Sequence, residues 1–392
     1  MKIGILGNMN NMYFSLARFL ADEGYDCELM LYDYEPSHFH PTADTFKTNL
    51  NFRIKQLKWG DPAHFFKNTE LVEKDLKDYN FLIGNGTAPA FLHRAGRILD
   101  LFVPYGDDLY ALPFPRLVHP LRQMAYLALA WHQRKGIQQC PYILFDRANP
   151  EFEKVFRKLG YKGKRIVIPP PLFYYKEYEE IKTLTDNPYA EQLARLRSGN
   201  DLLIVQHIRQ IWKKSTDKWN LKGNDQLIMG YARFLKEHPG TKAMLLLFEY
   251  GTDVSHTRYL VKTLGLEDHV TWFPKMERKH LVDFIKISDL VVGELFHSWN
   301  SYCVVAETLA FGRVLMHKRN DEEFEEAYEE LYPMVHASSA QTVAHGLEQV
   351  IKEKTKMQEI GRVGKEWFMK YYVQKPLEQI KTLIEQKGDG HA

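Results

Sequence analysis

The sequence predicts an α/β protein built from two parallel-sheet domains, and three observations carry that prediction. Short β-branched runs alternate with segments of helical periodicity along most of the chain, the pattern of a parallel sheet covered on both faces. A triple proline, Pro169-Pro170-Pro171, separates an earlier series of such units from a later one. The chain has 392 residues, more than one ordinary core accommodates, so two domains of about 150 to 200 residues are expected.

In the first series, Lys2 to Leu6 reads as a strand, Gly7-Asn8-Met9-Asn10-Asn11 as a loop, and Met12, Phe14, Leu16, Ala17, Phe19 and Leu20 as one side of a helix that ends at Gly24. Cys27 to Tyr32 is the next strand, so the chain opens β-α-β. The loop lacks G-x-G-x-x-G, which disfavours a dinucleotide. Phe81 to Gly84 and Leu101 to Tyr105 are further strands, the second ending at Gly106-Asp107-Asp108, and residues 117 to 135 read as a long helix. Arg165 to Ile168 is the last strand before the prolines, and residues 174 to 198 form a charged, tyrosine-rich helix or loop. In the second series the strands Leu202 to Gln206, Met244 to Phe248, Val270 to Phe273, Leu290 to Val292 and Val314 to Met316 alternate with helices near 224 to 237, 256 to 264, 278 to 287 and 302 to 311. Both halves are therefore expected to be Rossmann-like. Val363 to Gln386 is helical and carries Trp367, Phe368, Tyr371 and Tyr372, an apolar load that needs a surface to dock on.

Composition narrows the partners. With 45% hydrophobic and 26% charged residues and a formal net charge of +2, the chain is typical of globular proteins and has no overall field for a polyanion, so nucleic acid is not expected. Cys27, Cys140 and Cys303 show no metal-ligand spacing, and a reduced, cytoplasmic setting is expected. Met1-Lys2 leads directly into a strand, so no signal peptide is expected. The longest apolar run, Met124 to Trp131, is far shorter than the roughly 20 residues of a spanning helix, and any membrane contact is expected to be peripheral, on the inner face. Arg116, Arg122, Arg134 and Lys135 would serve such a contact or simply face water.

The stretch from Asp289 to Gly312 concentrates the candidate chemistry. A buried strand, Leu290 to Val292, runs through His297-Ser298-Trp299-Asn300-Ser301 into a helix bearing Glu307. Donors and acceptors thus gather at the carboxyl end of a strand and the start of a helix, where anions bind, so a phosphorylated ligand is expected. Glu249 and Gly251, and Lys275 and Met276, end strands on the same edge and either border this ligand or serve as turns. In the first half, Gly7, Asn8, Asn10, Gly106 and Asp107 follow strand ends in the same way. Asp107-Asp108 without further ligands is weak evidence for a metal, and a capping role suits it better.

Several pieces of the second half resemble the GT-B glycosyltransferases, and within them the retaining, family-4-like group. They are Lys222-Gly223-Asn224-Asp225-Gln226-Leu227-Ile228, Leu245 to Gly251, Gly265 to Phe273, Ser288-Asp289-Leu290, and Glu307 to Gly312. In the first half the likeness rests on Gly7 with its helix and on Tyr105-Gly106-Asp107-Asp108-Leu109. The resemblance implies an acceptor-side domain over 1–172, a linker region over 173–200, a nucleotide-sugar domain over 201–362 facing it across a cleft, and a C-terminal helix over 363–392 that crosses back to the first.

It also implies roles. Lys222 and Arg209 would stabilise the leaving phosphate, and Glu307 would accept from the ribose hydroxyls. Backbone N–H groups of Asn300, Ser301 and Tyr302 would meet the diphosphate, although Ser301 equally reads as an N-cap. His297, Ser298 and Trp299 would face the sugar or pack in the loop, and Gly7, Asn8, Asn10, Gly106 and Asp107 would lie on the acceptor or diphosphate side. The family's glutamate pair is separated by seven residues, and counting back from Glu307 places Trp299 where the first should stand.

The implied activity is retaining transfer of a sugar from a nucleotide diphosphate donor to a hydroxyl of a glycan, lipid-linked or small acceptor in surface polysaccharide synthesis, without cofactor or metal. An inactive nucleotide-sugar-binding scaffold, motivated by Trp299, and a nucleotide-sugar epimerase are the alternatives. The sequence does not speak to oligomeric state.

Overall fold

The computed structural model describes residues 1–67, 69–115, 120–146, 150–180, 187–215, 220–297, 303–325 and 328–389. The chain divides into two units, one of Met1–Tyr174 with Tyr371–Ala392 and one of Tyr175–Lys370.

The first unit holds a seven-stranded sheet. Its strands are β1 (Lys2–Leu6), β2 (Asp26–Leu31), β3 (Arg53–Gln56), β4 (Phe81–Gly84), β5 (Leu101–Phe102), β6 (Tyr142–Phe145) and β7 (Lys164–Val167). They are parallel and ordered β3-β2-β1-β4-β5-β6-β7, with Ile3 paired to Cys27 on one side and to Phe81 on the other. The order reverses between β1 and β4, and the loops at the carboxyl ends of those two strands flank the crevice such a reversal creates. Helix Met12–Asp22 is buried from Met12 to Leu20, which its apolar sequence requires. It starts after Asn10 and Asn11, whose φ values of 51° and 58° are in the left-handed region that asparagine tolerates.

The second unit holds a six-stranded sheet of β8 (Leu202–Gln206), β9 (Ala243–Glu249), β10 (Val270–Pro274), β11 (Leu290–Val292), β12 (Val314–His317) and β13 (Val335–His336). Its order is β10-β9-β8-β11-β12-β13, again parallel, and it reverses between β8 and β11. Alternate residues feed two cores: Leu202, Ile204, Leu245 and Leu247 pack on one face, while Leu203, Val205, Leu246 and Phe248 pack on the other. Burial on both faces explains why these strands are continuous apolar runs rather than alternating ones.

The stretch around the prolines is packed. Pro169 to Tyr175 is buried, with Tyr174 against Phe19 and beneath the Arg18 guanidinium in the first unit. Beyond it, Leu193 of helix Ala190–Gly199 is fully buried in the second unit's core, and Arg197 pairs with Asp289 at 2.6 Å. Near the end of the chain, helix Lys354–Phe368 passes through a π-helical turn at Met369–Gln374 into helix Lys375–Asp389. Trp367 packs on Tyr328 and Tyr332 in the second unit, whereas Lys381 pairs with Glu23 at 2.6 Å in the first. Among the described residues no helix is long and apolar enough to cross a membrane. The long helix of the first unit, Pro120–Gln139, leaves Met124, Tyr126, Leu127 and Trp131 exposed.

Candidate functional site

The reversal point of the second sheet gathers two buried charged clusters. In the first, Lys222 follows the loop that leaves β8, and its backbone N–H donates to the Ile211 carbonyl at 2.7 Å. Its own carbonyl accepts from Leu295 N–H at 2.9 Å, tying this loop to the one that leaves β11. The Lys222 ammonium lies 2.5 Å from Glu294 Oε1, and each side chain is only 4% exposed. Glu294 sits two residues beyond β11, on the neighbouring strand, so the pair bridges the reversal point.

In the second cluster Glu307, on helix Cys303–Ala310, is buried beside Arg278, with Arg278 Nε 2.8 Å from Oε1. His207, the first residue past β8, places Nε2 3.6 Å from the other oxygen, Oε2. Burial lowers the His207 pKa against the opposing pull of Glu307, so its ring is neutral and the contact is not a charged pair. Arg278 therefore carries the compensation for the Glu307 charge. A buried carboxylate held by one guanidinium keeps further lone pairs with which to receive hydroxyl groups.

The other described residues of the loop after β8 are fastened together. Asn224 donates to Gln206 Oε1 at 3.0 Å and accepts from Ile211 N–H at 3.1 Å. Arg209, half-buried, donates to Asn220 at 3.1 Å and joins neither charged cluster through that bond. Gly251 lies against the Gln210 backbone so closely that a Cβ would stand 2.5 Å from its N and O, which gives it a packing role. Glu249 forms an exposed pair with Arg258, Lys275 lies 4.8 Å over the Tyr250 ring, and Met276 packs on the core around Phe273 and Phe284. His297 is ring-packed on Phe296 at 4.7 Å. Ser298, Trp299, Asn300, Ser301 and Tyr302 lie outside the described residues.

The sequence reading reached Lys222 and Glu307 but missed their partners Glu294, Arg278 and His207. His207 and Glu294 follow strand ends on either side of the reversal point, a positional signal that could have found them. The cavity of about 580 Å³ lined by Arg319, Tyr332 and His336 opens past β12 and β13, and its lining includes neither charged cluster.

In the first unit the loops after β1, β4 and β5 converge in a comparable way. Asn8 is fully buried and its amide is used internally, donating to Asn11 Oδ1 at 2.8 Å and accepting from Phe14 N–H at 2.8 Å. Asn10 is exposed beside it. Asp108 accepts from the N–H groups of Tyr105, Gly106 and Gly86 at 2.9 to 3.1 Å and so fixes the loops after β4 and β5 to each other, while Asp107 is exposed. Asp108 is thus a brace between two loops, and the N-cap of the short helix Asp107–Tyr110 is Gly106. Glu35 similarly accepts from Asn8 and Tyr32 N–H.

Burial pushes both carboxyls up, Asp108 from 3.8 to about 7 and Glu35 from 4.5 to about 7, against the opposing effect of these N–H groups. The folded state then holds these protons more tightly than the unfolded chain. The stability this contributes is complete below the unfolded values and lost as pH rises through about 7. Calorimetry across that window is expected to show the unfolding midpoint of the first unit falling between about pH 4 and 7, with a shallower fall in Glu35→Gln. A midpoint that is flat or rises would contradict the assignment. Among the described residues no group of three or more His, Cys, Asp or Glu is placed to hold a metal ion.

No family model matches the chain, and no curated protein matches it. Solved structures match along its whole length. Sucrose-phosphate synthase from Thermosynechococcus elongatus is similar at 15% identity, with all of both chains covered and a TM-score of 0.63. The Anabaena protein HepE, solved with UDP and glucose, is 14% identical over 98% of this chain and all of that one, with a TM-score of 0.60. A putative UDP-N-acetylglucosamine 2-epimerase from Listeria monocytogenes is 11% identical over 98% of this chain and 97% of that one, at 0.59. At these identities the likeness is one of fold, and the fold is GT-B.

Proposed function

We propose that this chain is a glycosyltransferase that takes a sugar from a nucleoside diphosphate donor. The observation that carries the reading is Glu307, a buried carboxylate at the reversal point of the second sheet, held by Arg278 beside the Lys222–Glu294 pair. HepE, of the same fold, is described with UDP and with glucose, which supports a uridine nucleotide as the first donor to try. In this reading Glu307 receives the ribose hydroxyls. Lys222 offers an ammonium donor to the phosphate, with Glu294 fixing its direction. Arg209, on the loop that leaves β8, supplies a second cation.

In the transfer the bond from the sugar's anomeric carbon to the phosphate oxygen breaks and one to the acceptor oxygen forms. The acceptor hydroxyl's proton leaves on the nucleoside diphosphate. Cations aimed at that phosphate stabilise the charge as it develops. Retention of anomeric configuration, an acceptor hydroxyl on a glycan or lipid-linked sugar, and a place in surface polysaccharide synthesis are further parts of the proposal. They rest on the motif resemblance.

The test is incubation of the purified chain with UDP-, GDP- and ADP-sugars and candidate acceptors, with nucleoside diphosphate release and the product's anomeric coupling followed by NMR. One donor is expected to be consumed only when acceptor is present. The Listeria likeness favours epimerisation as a second reading, which would convert the donor's sugar with no acceptor added. Binding without either change identifies a scaffold, and failure of every nucleotide to bind removes the proposal altogether.

A further inference from the structure

At the carboxyl edge of the first sheet a pair of tyrosines is built into the reversal point. Tyr32 is 2% exposed, and its ring stacks on that of Tyr34 with centroids 5.6 Å apart and planes 6° from parallel. Three glycines close on the Tyr32 ring: a Cβ would stand 2.6 Å from it at Gly7, 2.3 Å at Gly60 and 3.5 Å at Gly86. These glycines follow β1, β3 and β4. Tyr32 also donates its hydroxyl to the Asn85 carbonyl at 2.9 Å. The lower ring is therefore immobilised from several sides by backbone.

The upper ring is positioned by this base and is partly exposed. Tyr34 is 40% exposed, as is Tyr105, and the two meet at Gly86, where a Cβ would lie 3.2 Å from Tyr34 Oη and 4.0 Å from Tyr105 Cε1. Gly86 N–H is fixed by Asp108, and Asp107 is exposed next to it in sequence. An isolated exposed tyrosine needs no explanation, but one stacked on a fully immobilised partner, with a second at its edge and the exposed Asp107 acting on that second tyrosine, is a rigid platform.

We propose that Tyr34 and Tyr105 form a stacking platform for an unphosphorylated carbohydrate ring, which makes the acceptor of the proposed transfer a neutral sugar. This rests on the functional reading above. A pyranose has an apolar C–H face that lies flat on an aromatic ring, and hydroxyls around its edge that donate to carboxylates such as Asp107. The Asp107 carboxylate opposes a phosphate. A lipid chain would gain nothing from it. A nucleobase would also stack, so nucleosides belong in the test.

Saturation-transfer NMR on the full chain with a panel of methyl hexosides, the matching sugar phosphates and uridine decides the matter. Transfer to ring C–H protons of at least one methyl hexoside is expected, retained in Tyr34→Phe and Tyr34→Trp. In Tyr34→Ala the hexoside affinity is expected to fall about tenfold, the worth of one aromatic contact. UDP binding, measured in parallel by calorimetry, is expected to be unchanged in all three variants. Transfer to no hexoside, equal transfer in Tyr34→Ala, or binding of the sugar phosphate or uridine that falls more in Tyr34→Ala than hexoside binding does overturns the platform. If the platform fails while UDP still binds, the donor reading stands; if UDP does not bind the parent chain, it is the donor reading that fails.

Discussion

Lys222→Met is expected to lower the stability of the second unit and abolish sugar transfer, and adding Glu294→Leu to restore the stability without the activity. The two charges are 2.5 Å apart and each is 4% exposed. Removing one partner of a buried pair leaves the other charge uncompensated and costs about 3–5 kcal/mol, whereas replacing both by apolar groups of similar volume is often neutral. For a unit of this size about 2–4 °C of midpoint follows each kcal/mol, so the single variant should be visibly destabilised by calorimetry and the double variant should not. Activity separates from this because only the ammonium serves the leaving phosphate, and losing such a group costs about 10²–10³ in rate. A double variant that is both stable and active would show that the pair is structural. A single variant as stable as the parent would contradict the burial argument itself.

Much of the fold was legible because its central strands are buried on both faces. β8, β9 and β11 are largely apolar runs, as strands covered on both faces require. Two of the edges were not legible for the same reason. β3 is Arg53-Ile54-Lys55-Gln56, largely exposed, and β13 is two residues long, too short for any periodicity to show.

The candidate site divides along a similar line. Lys222 and Glu307 could be read because each sits in a local motif. Arg278 acts through a partner far away in the chain, a pairing made only by folding that leaves no local trace, whereas Glu294 is marked only by its place after a strand end. Asn8 shows the converse. A polar residue after a first strand looks ligand-facing, yet its amide is consumed inside the loop by Asn11 and Phe14. Tyr34 follows the strand with no motif around it, and only the stack on Tyr32 distinguishes it.

Glu307→Gln is expected to cause the largest loss of nucleotide affinity of any single substitution in the second unit. The carboxylate has two oxygens, one of them 2.8 Å from Arg278 Nε, in a residue only 3% exposed. Glutamine keeps the shape but has one acceptor oxygen and carries an NH₂ that cannot receive a hydroxyl hydrogen. It therefore cannot hold Arg278 and accept a ribose diol together. Hydrogen bonds to a charged acceptor are worth about 1.5–3 kcal/mol, so UDP should bind about 10- to 150-fold more weakly by calorimetry. The discriminating ligand is 2′,3′-dideoxy-UDP. The parent chain should discriminate against it by a similar factor, whereas Glu307→Gln should hardly distinguish it from UDP, because the interaction each change removes is the same one. Arg278→Lys keeps a positive charge beside the carboxylate but loses the planar fork, so it should retain the preference for the ribose diol at reduced affinity. If folded Glu307→Gln binds UDP as the parent does, Glu307 serves only as the counter-charge that keeps Arg278 buried, and the nucleotide is read by other residues.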